Sequence, residues 1–121
     1  MTYTSIEQSK TLMHLGLDEE TADLTISTGI IPYIHIKGLK RGNKEYPCWS
    51  AEALLELLPN EVYINGKEDT ACLNIMKVGA YIVSYDSKER NDIPNFVHSM
   101  GDDLADVLFK IVKWLLTNKL I

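Results

Sequence analysis

The segment DDLADVLFKIVKWLLTNKLI, residues 102–121, carries the strongest structural signal in the chain. Its apolar residues recur at the spacing of an amphipathic helix, at Leu104, Val107, Leu108, Ile111, Val112 and Leu115. At 100° per residue the apolar arc spans about 220°, whereas an ordinary surface helix needs a stripe of only ~100°. Because one face of a sheet cannot cover such an arc, the helix needs a second neighbour, either another helix of this chain or a second copy of the chain.

Three residues of this helix are the candidate contacts with a partner: Phe109, Trp114 and Leu116. They lie at the borders of the wide arc, and aromatic side chains carry a disproportionate share of interface energy. The alternative is that a short helix earlier in the same chain covers them.

The stretch YPCWSAEALLELLPN, residues 46–60, is typical of the start of a helix. Ser50 is a good N-cap residue, because its hydroxyl can accept a hydrogen bond from a free amide of the first turn. Trp49 precedes that cap and Leu54 is the fourth helical residue, which is the spacing of a hydrophobic staple. We interpret Cys48, Trp49, Ser50 and Leu54 as a structural helix entrance.

Cys48 is also the one residue here that invites a catalytic interpretation, because thiolates are activated near helix N-termini. Its Cys-Trp pair resembles that of papain-like proteases. The Gly-Ser that precedes the cysteine in that family is replaced here by Tyr46-Pro47. Cys48 also lies two positions before the cap, outside the first turn. We therefore expect a buried structural thiol, and we expect Cys72 to be a thiol as well rather than its disulfide partner.

The N-terminal segment predicts a helix over about 5–15, with a capping box formed by Thr4 and Glu7. Gly16 supplies the left-handed residue that commonly ends helices. Asp18 can cap one further short turn within DEETADL.

The middle of the chain favours β-structure. IIPYIHIKG has the composition of a strand, with Pro32 at an edge or a strand start, although residues 25–45 are the hardest to assign. EVYINGKED reads as a short strand followed by an Asn65-Gly66 turn. CLNIMKVGAYIVSYD predicts a hairpin with arms at about 72–77 and 80–85 around Gly79, and NFVHSM a third strand at about 95–99.

These elements predict a single α+β domain over residues 1–121. A small antiparallel sheet of about three strands should be packed on one face by an N-terminal helix, a short central helix and the long C-terminal helix.

A net charge of −5 argues against a general binder of the phosphate backbone. One basic cluster stands out nevertheless, formed by Lys37, Lys40, Arg41 and Lys44. Tyr33 and Tyr46 lie nearby as candidate stacking groups. The chain has no apolar run near the ~20 residues that span a bilayer and no signal-peptide pattern. We expect a cytoplasmic protein that does not enter a membrane.

No catalytic, cofactor-binding or metal-binding motif is found in the sequence. His14, His35 and His98 show no ligand spacing, and the nucleophile-elbow and phosphate-loop patterns are absent. Asp102, Asp103 and Asp106 are read as acids at a helix start rather than as cation ligands. We therefore expect no catalytic, cofactor-binding or metal-binding site.

Several segments together resemble a family of small uncharacterised proteins encoded in bacterial prophages and conjugative elements. They are SIEQSKTLMHLGLDEETADL, YPCWSAEALLELLP, the hairpin, and DDLADVLFKIVKWLLTNKLI. The resemblance implies an accessory protein of a mobile element in the bacterial cytoplasm. It implies no biochemical activity.

Three hypotheses about function follow. The first is a non-enzymatic binding module with an unknown protein partner or with self-association. The second is a nucleic-acid-associated accessory factor that uses the basic loop at residues 37–44, which the net charge disfavours. The third is a small enzyme whose site residues are dispersed in sequence and gathered by the fold.

Overall fold

The structure is a computed structural model that describes residues 3–27, 33–36, 45–64, 69–87 and 97–121. Three helices and seven strands lie within these ranges, together with one 3-10 turn at Glu19–Thr21. In chain order the elements are α1 Ile6–His14, β1 Leu24–Ser27, β2 Tyr33–Ile36, β3 Glu45–Cys48, α2 Ala51–Glu56, β4 Glu61–Ile64, β5 Asp69–Val78, β6 Ala80–Ser87, β7 Val97–Gly101 and α3 Leu104–Thr117.

The α+β class is confirmed, but the prediction of a single sheet with about three strands is wrong. The described strands form two antiparallel sheets, with the orders β2-β1-β3 and β4-β5-β6-β7. The additional sheet arises from residues 24–48, where each strand is only four residues long. Strands so short show too little alternation of apolar and polar residues to be recognised from sequence.

The three-stranded sheet joins the start of the chain to the helix entrance. Its central strand β1 pairs with β2 and with β3, and Leu24 lies opposite Cys48. Pro47 lies in β3, an edge strand, where a residue without an N–H is tolerated. The N–H of Thr4 donates to the carbonyl oxygen of Trp49 at 2.9 Å, so the N-terminal segment is hydrogen-bonded to the residues that lead into α2.

The four-stranded sheet is built around the predicted hairpin, whose arms are longer than expected. β5 and β6 pair from Ala71 opposite Ser87 to Val78 opposite Ala80. Gly79 has a φ of +74° at the turn, a conformation that glycine adopts without steric cost. β4 is the fourth strand, and β7 covers 97–101 rather than 95–99. The predicted Asn65-Gly66 turn lies outside the described residues.

The wide apolar arc of α3 is covered from two directions. α3 packs on β6 and β7 on one side and contacts α2 and α1 as well. Seven of its residues are buried: Ala105, Val107, Leu108, Phe109, Ile111, Val112 and Leu115. The sequence left two candidates for the second neighbour of α3, another helix of this chain or a second copy. The structure shows helices of this same chain in contact with it.

The capping box of α1 is one residue later than expected. Ser5 is the N-cap: its hydroxyl accepts from the N–H of Gln8 at 3.1 Å, and the Gln8 side chain accepts from the N–H of Ser5 at 3.0 Å. The prediction of a box formed by Thr4 and Glu7 is wrong because Thr4 is fully buried. Its hydroxyl instead bonds the Ser9 hydroxyl at 2.8 Å and accepts from the N–H of Trp49 at 3.1 Å.

Two features at the ends of helical segments agree with the prediction. Gly16 has a φ of +94°, and the N–H of Leu17 donates to the carbonyl oxygen of Leu12 at 3.0 Å. Asp18 caps the 3-10 turn through its side chain. Within the described ranges, no helix combines the length and the apolar character needed to cross a bilayer.

Candidate functional site

Cys48 is placed where a nucleophile could not work. Its side chain is fully buried, and its thiol donates to the carbonyl oxygen of Thr4 at 3.3 Å. Burial raises the pKa of Cys48 to about 11, so the group is a protonated thiol at neutral pH. Such a group has neither the ionisation nor the access that nucleophilic chemistry requires. Cys72 is half-buried on β5, and both residues are free thiols.

The other residues of the helix entrance hold the fold together. Trp49 is fully buried, and its Nε1–H donates to the hydroxyl of Thr21 at 2.9 Å. The hydroxyl of Ser50 accepts from the N–H of Ala53 at 3.1 Å and thereby caps α2. Leu54 is fully buried in the same apolar cluster as Trp49, as a hydrophobic staple requires.

The three candidate partner contacts on α3 all face the core. Phe109 is buried within the main apolar cluster, and Trp114 and Leu116 are half-buried against it. The ring of Trp114 stacks on Tyr85 with 6.2 Å between the centroids. Little of these side chains is therefore presented to a partner.

The candidate nucleic-acid contacts Lys37, Lys40, Arg41 and Lys44 lie outside the described residues. Of the two candidate stacking tyrosines, Tyr33 lies in β2 by its backbone. Tyr46 is half-buried, and the ammonium group of Lys10 lies 5.1 Å from its ring centroid. One face of that ring is thus already engaged in a cation–π contact.

Two of the acidic residues at the start of α3, Asp103 and Asp106, are held by neighbours within the chain. Asp103 is the N-cap and accepts from the N–H of Ala105 at 3.1 Å. Asp106 accepts from the side-chain amide of Gln8 at 2.8 Å and pairs with Lys110 at 3.3 Å. Over the described part of the chain, no three His, Cys, Asp or Glu residues converge as a metal site would need.

A shallow groove of about 470 Å³ runs between α2 and the start of α3. It is lined by Ser50, Ala51, Glu52, Leu55 and Leu104. Glu52 is the sole ionisable group among these residues, so the groove lacks the convergent polar groups of a catalytic site.

The surface that sequence reasoning missed is the face of the four-stranded sheet that points away from α3. Side chains alternate across a strand, so the buried Val83 and Tyr85 face the core while their neighbours face outward. On that outward side the register places Met76 opposite Ile82 and Ile82 opposite Met100. These residues form one row across three strands.

The row and its neighbour Val78 expose a large apolar area at the hairpin end of the sheet. Met76 is 47% exposed, Met100 57% and Val78 70%, while Ile82 is half-buried between the two methionines. We call Met76, Val78, Ile82 and Met100 the apolar face. Three exposed large apolar side chains around a fourth are more than the scattered single residues usual on protein surfaces.

The next row of the same face is polar. It consists of Asn74, Ser84 and His98, which the register places opposite one another. The side-chain amide of Asn74 donates to Asp86 at 3.0 Å. The apolar face is therefore bounded along the strands, as an interaction patch with a polar rim is.

A signal for this face was present in the sequence. Both hairpin arms carry apolar residues at odd and at even positions, as in NIMKV and AYIV. A strand with one solvated face alternates apolar and polar residues, so the lack of alternation indicates a second apolar face. Only the register shows that these residues of β5, β6 and β7 form one continuous row.

Comparison with known proteins gives no relative: no family model, no curated protein and no solved structure matches this chain.

Proposed function

We propose that this chain is a non-catalytic protein-interaction module, and that the apolar face is its contact surface. The row Met76–Ile82–Met100 carries the proposal, because it exposes large apolar side chains on the side of the sheet opposite α3. Leaving such residues in water costs free energy that burial against a partner would recover.

The chemistry of the row suits adaptable binding. Methionine is unbranched and polarizable, so it can adjust to partner surfaces of different shape. Ile82 lies between the two methionines and gives the row a stiffer, β-branched centre. The polar row of Asn74, Ser84 and His98 would form part of the rim around this centre.

The cellular setting of the proposal is a bacterial cytoplasm, with the chain as an accessory protein of a phage or mobile element. The resemblance of the sequence segments described above supports this setting. Nucleic-acid binding through residues 37–44 stays a prediction from the sequence. Loss of salt-dependent DNA retention in the Lys40→Glu/Arg41→Glu variant would support it, and unchanged retention would contradict it.

Site-specific photo-crosslinking tests the interaction surface. A photoreactive amino acid replaces Met100 in one variant and Lys113, an exposed residue of α3, in the control. Both variants are expressed in the native host and illuminated. We expect defined crosslinked products from position 100 and none of the same products from position 113.

A crosslinked protein must then be shown to bind through this face. The identified partner is purified and titrated with the unmodified chain, with Met100→Glu and with Lys113→Glu. We expect Met100→Glu to weaken binding by roughly tenfold or more, because a carboxylate is buried at an apolar contact. Lys113→Glu should change the affinity little. Equal labelling at the two positions, or equal affinities, would contradict the proposal.

A further inference from the structure

On one side of β5 the neighbouring strand β4 ends early, and we call the stretch of β5 beyond the end of β4 the step. β4 has four residues and pairs only with residues 69–72, whereas β5 continues to Val78. Among the described residues, the last backbone bond across this side runs from the N–H of Leu73 to the carbonyl oxygen of Asn60, at 2.9 Å. From residue 74 to residue 78, none of the described strands lies beside β5 on the β4 side.

The backbone groups that face this open side follow from the pairing. The N–H of Leu73 points toward β4, and alternate residues of a strand direct their backbone groups to the same side. Ile75 and Lys77 therefore direct their N–H and C=O groups to the open side. An edge with two donors and two acceptors in this arrangement is a template for another strand.

We propose that a second copy of this chain occupies the step, with the two β5 strands antiparallel about a two-fold axis at Met76. In this register Ile75 of the first copy lies opposite Lys77 of the second copy. Lys77 of the first copy likewise lies opposite Ile75 of the second. Each pair exchanges two hydrogen bonds, so four backbone bonds form and all four open donors are satisfied.

Neighbouring registers are worse. Centring the axis on Lys77 would set two ammonium groups opposite each other, and like charges in that position are destabilising. Centring it on Ile75 would bring Lys77 opposite Leu73, whose N–H already donates to Asn60. The register centred on Met76 avoids both conflicts.

The same register makes the apolar face continuous between the two copies. Met76 lies opposite Met76 of the second copy in a pair without mutual hydrogen bonds, where the Cα atoms are only ~4.5 Å apart. The row then runs from Met100 through Ile82 and Met76 of one copy to the same residues of the other. The dimer deepens the proposed function, on which it rests, because it joins the apolar faces of two copies into one larger contact surface.

The contact is small. Only five residues of each strand take part, so the surface area that each copy buries is well below the ~800 Å² per partner of a stable interface. The dimer is therefore weak and reversible, and it forms as the protein concentration rises.

Disulfide formation reports the register directly. Met76→Cys is made in a Cys72→Ser background, and Asn74→Cys in the same background is the control. Both positions are exposed on the same face. In the dimer, position 76 lies opposite itself at a Cα distance within the ~4.4–6.8 Å that a disulfide spans. Position 74 lies opposite Val78 of the second copy.

Under mild oxidation we expect covalent dimers of Met76→Cys to form at least several-fold faster than those of Asn74→Cys. Equal rates, or slower dimerisation of Met76→Cys, would overturn the register.

Sedimentation over a wide concentration range measures the association itself. Ile75→Pro removes an N–H that faces the open side and leaves the bonds to β6 in place, whereas the control Ile75→Ala keeps that N–H. Two hydrogen bonds per dimer are lost in Ile75→Pro, so we expect its dimer to be weaker by roughly tenfold or more. Thermal unfolding of each variant verifies that it is folded.

A wild-type chain that stays monomeric at every concentration, or equal association of Ile75→Pro and Ile75→Ala, would overturn the dimer. That result would leave the proposed function standing if position 100 still crosslinks another protein. A dimer with no crosslinking difference between positions 100 and 113 in the host would support the dimer and contradict the wider interaction surface.

Discussion

The indole N–H of Trp49 donates to the hydroxyl of Thr21 at 2.9 Å, and this bond joins the helix entrance to the 3-10 turn before β1. The Thr21 hydroxyl itself donates to the carbonyl oxygen of Asp18 at 2.6 Å. Trp49 is fully buried, so its N–H has no water to replace this partner. The bond is thus the polar anchor of the largest side chain in the core.

Thr21→Val should lower the free energy of unfolding by about 1–3 kcal/mol, because it leaves the buried indole N–H without an acceptor. Thr21→Ser keeps the hydroxyl and should cost much less. Trp49→Ala should cost about 3–5 kcal/mol, since it removes a fully buried ring. Urea unfolding of the four proteins measures these differences. Equal stabilities of Thr21→Val and Thr21→Ser would show that the bond contributes nothing.

Gln8 connects the cap of α1 to α3. Its side-chain oxygen accepts from the N–H of Ser5 at 3.0 Å, and its side-chain amide donates to Asp106 at 2.8 Å. Gln8→Glu keeps the acceptor but sets a second carboxylate against Asp106. We expect a loss of about 1–2 kcal/mol at neutral pH.

The same variant should show a defined pH dependence. Two adjacent carboxylates hold a proton more tightly in the folded state, so their pKa is raised there and stability is gained as the pH falls. The penalty of Gln8→Glu should therefore shrink between about pH 6 and pH 4. Adding Asp106→Asn should also remove the repulsion at neutral pH. A penalty independent of pH would refute this account.

The Cys48 thiol should weaken the fold in alkali. Burial raises its pKa from 9.0 to about 11, so in the unfolded chain the thiol loses its proton at lower pH than in the folded chain. The contribution to stability is complete below about pH 9 and is lost as the pH rises toward 11. Its full size is about 3 kcal/mol.

The measurement compares wild type with Cys48→Ala in urea at several pH values. Burial also raises the pKa of Tyr85, to about 12, but Tyr85 is common to both proteins and cancels in the difference. The stability advantage of wild type should therefore decline from pH 9 to pH 11. An advantage that does not change with pH would show that the thiol is not desolvated. At pH 8 a thiol reagent should modify Cys72 first and Cys48 only on unfolding.

Ser99 has a buried hydroxyl with no hydrogen-bond partner among the described residues. It lies in β7 opposite Val83, on the face covered by α3. Ser99→Ala should leave stability unchanged or raise it by up to about 1 kcal/mol, because it removes an unpaired buried polar group.

The matched control is Ser9→Ala. Ser9 is equally buried, but its hydroxyl bonds that of Thr4 at 2.8 Å. Its loss should cost about 1–3 kcal/mol. Thermal or urea unfolding ranks the two variants, and a larger cost for Ser99→Ala would show that the Ser99 hydroxyl does have a partner.

Local patterns were sufficient for several elements of this protein. Ser50 and Leu54 predicted α2 because capping and stapling depend on residues within one turn of each other. Gly79 predicted the hairpin turn because only a residue without a side chain adopts a positive φ readily. The long helix followed from its 3.6-residue period, which residues 104–117 retain.

Contacts between distant residues decided the rest. Thr4 has the local pattern of an N-cap, yet contacts with Ser9 and Trp49 occupy its hydroxyl, and Ser5 caps α1 instead. The apolar face depends on the register of β5, β6 and β7, and a register is set by pairing across the sheet rather than by any one strand.

The wide apolar arc of α3 shows most directly which features follow from local sequence patterns and which depend on contacts between distant residues. The spacing of its apolar residues is enough to predict that this helix is covered on two sides, because the helical period sets which residues share a face. Which elements cover the helix depends on contacts between distant parts of the chain: β6 and β7 pack on one side, and α2 and α1 are further neighbours. Packing also buries Phe109 of α3 and leaves Met76 and Met100 of the sheet exposed to solvent.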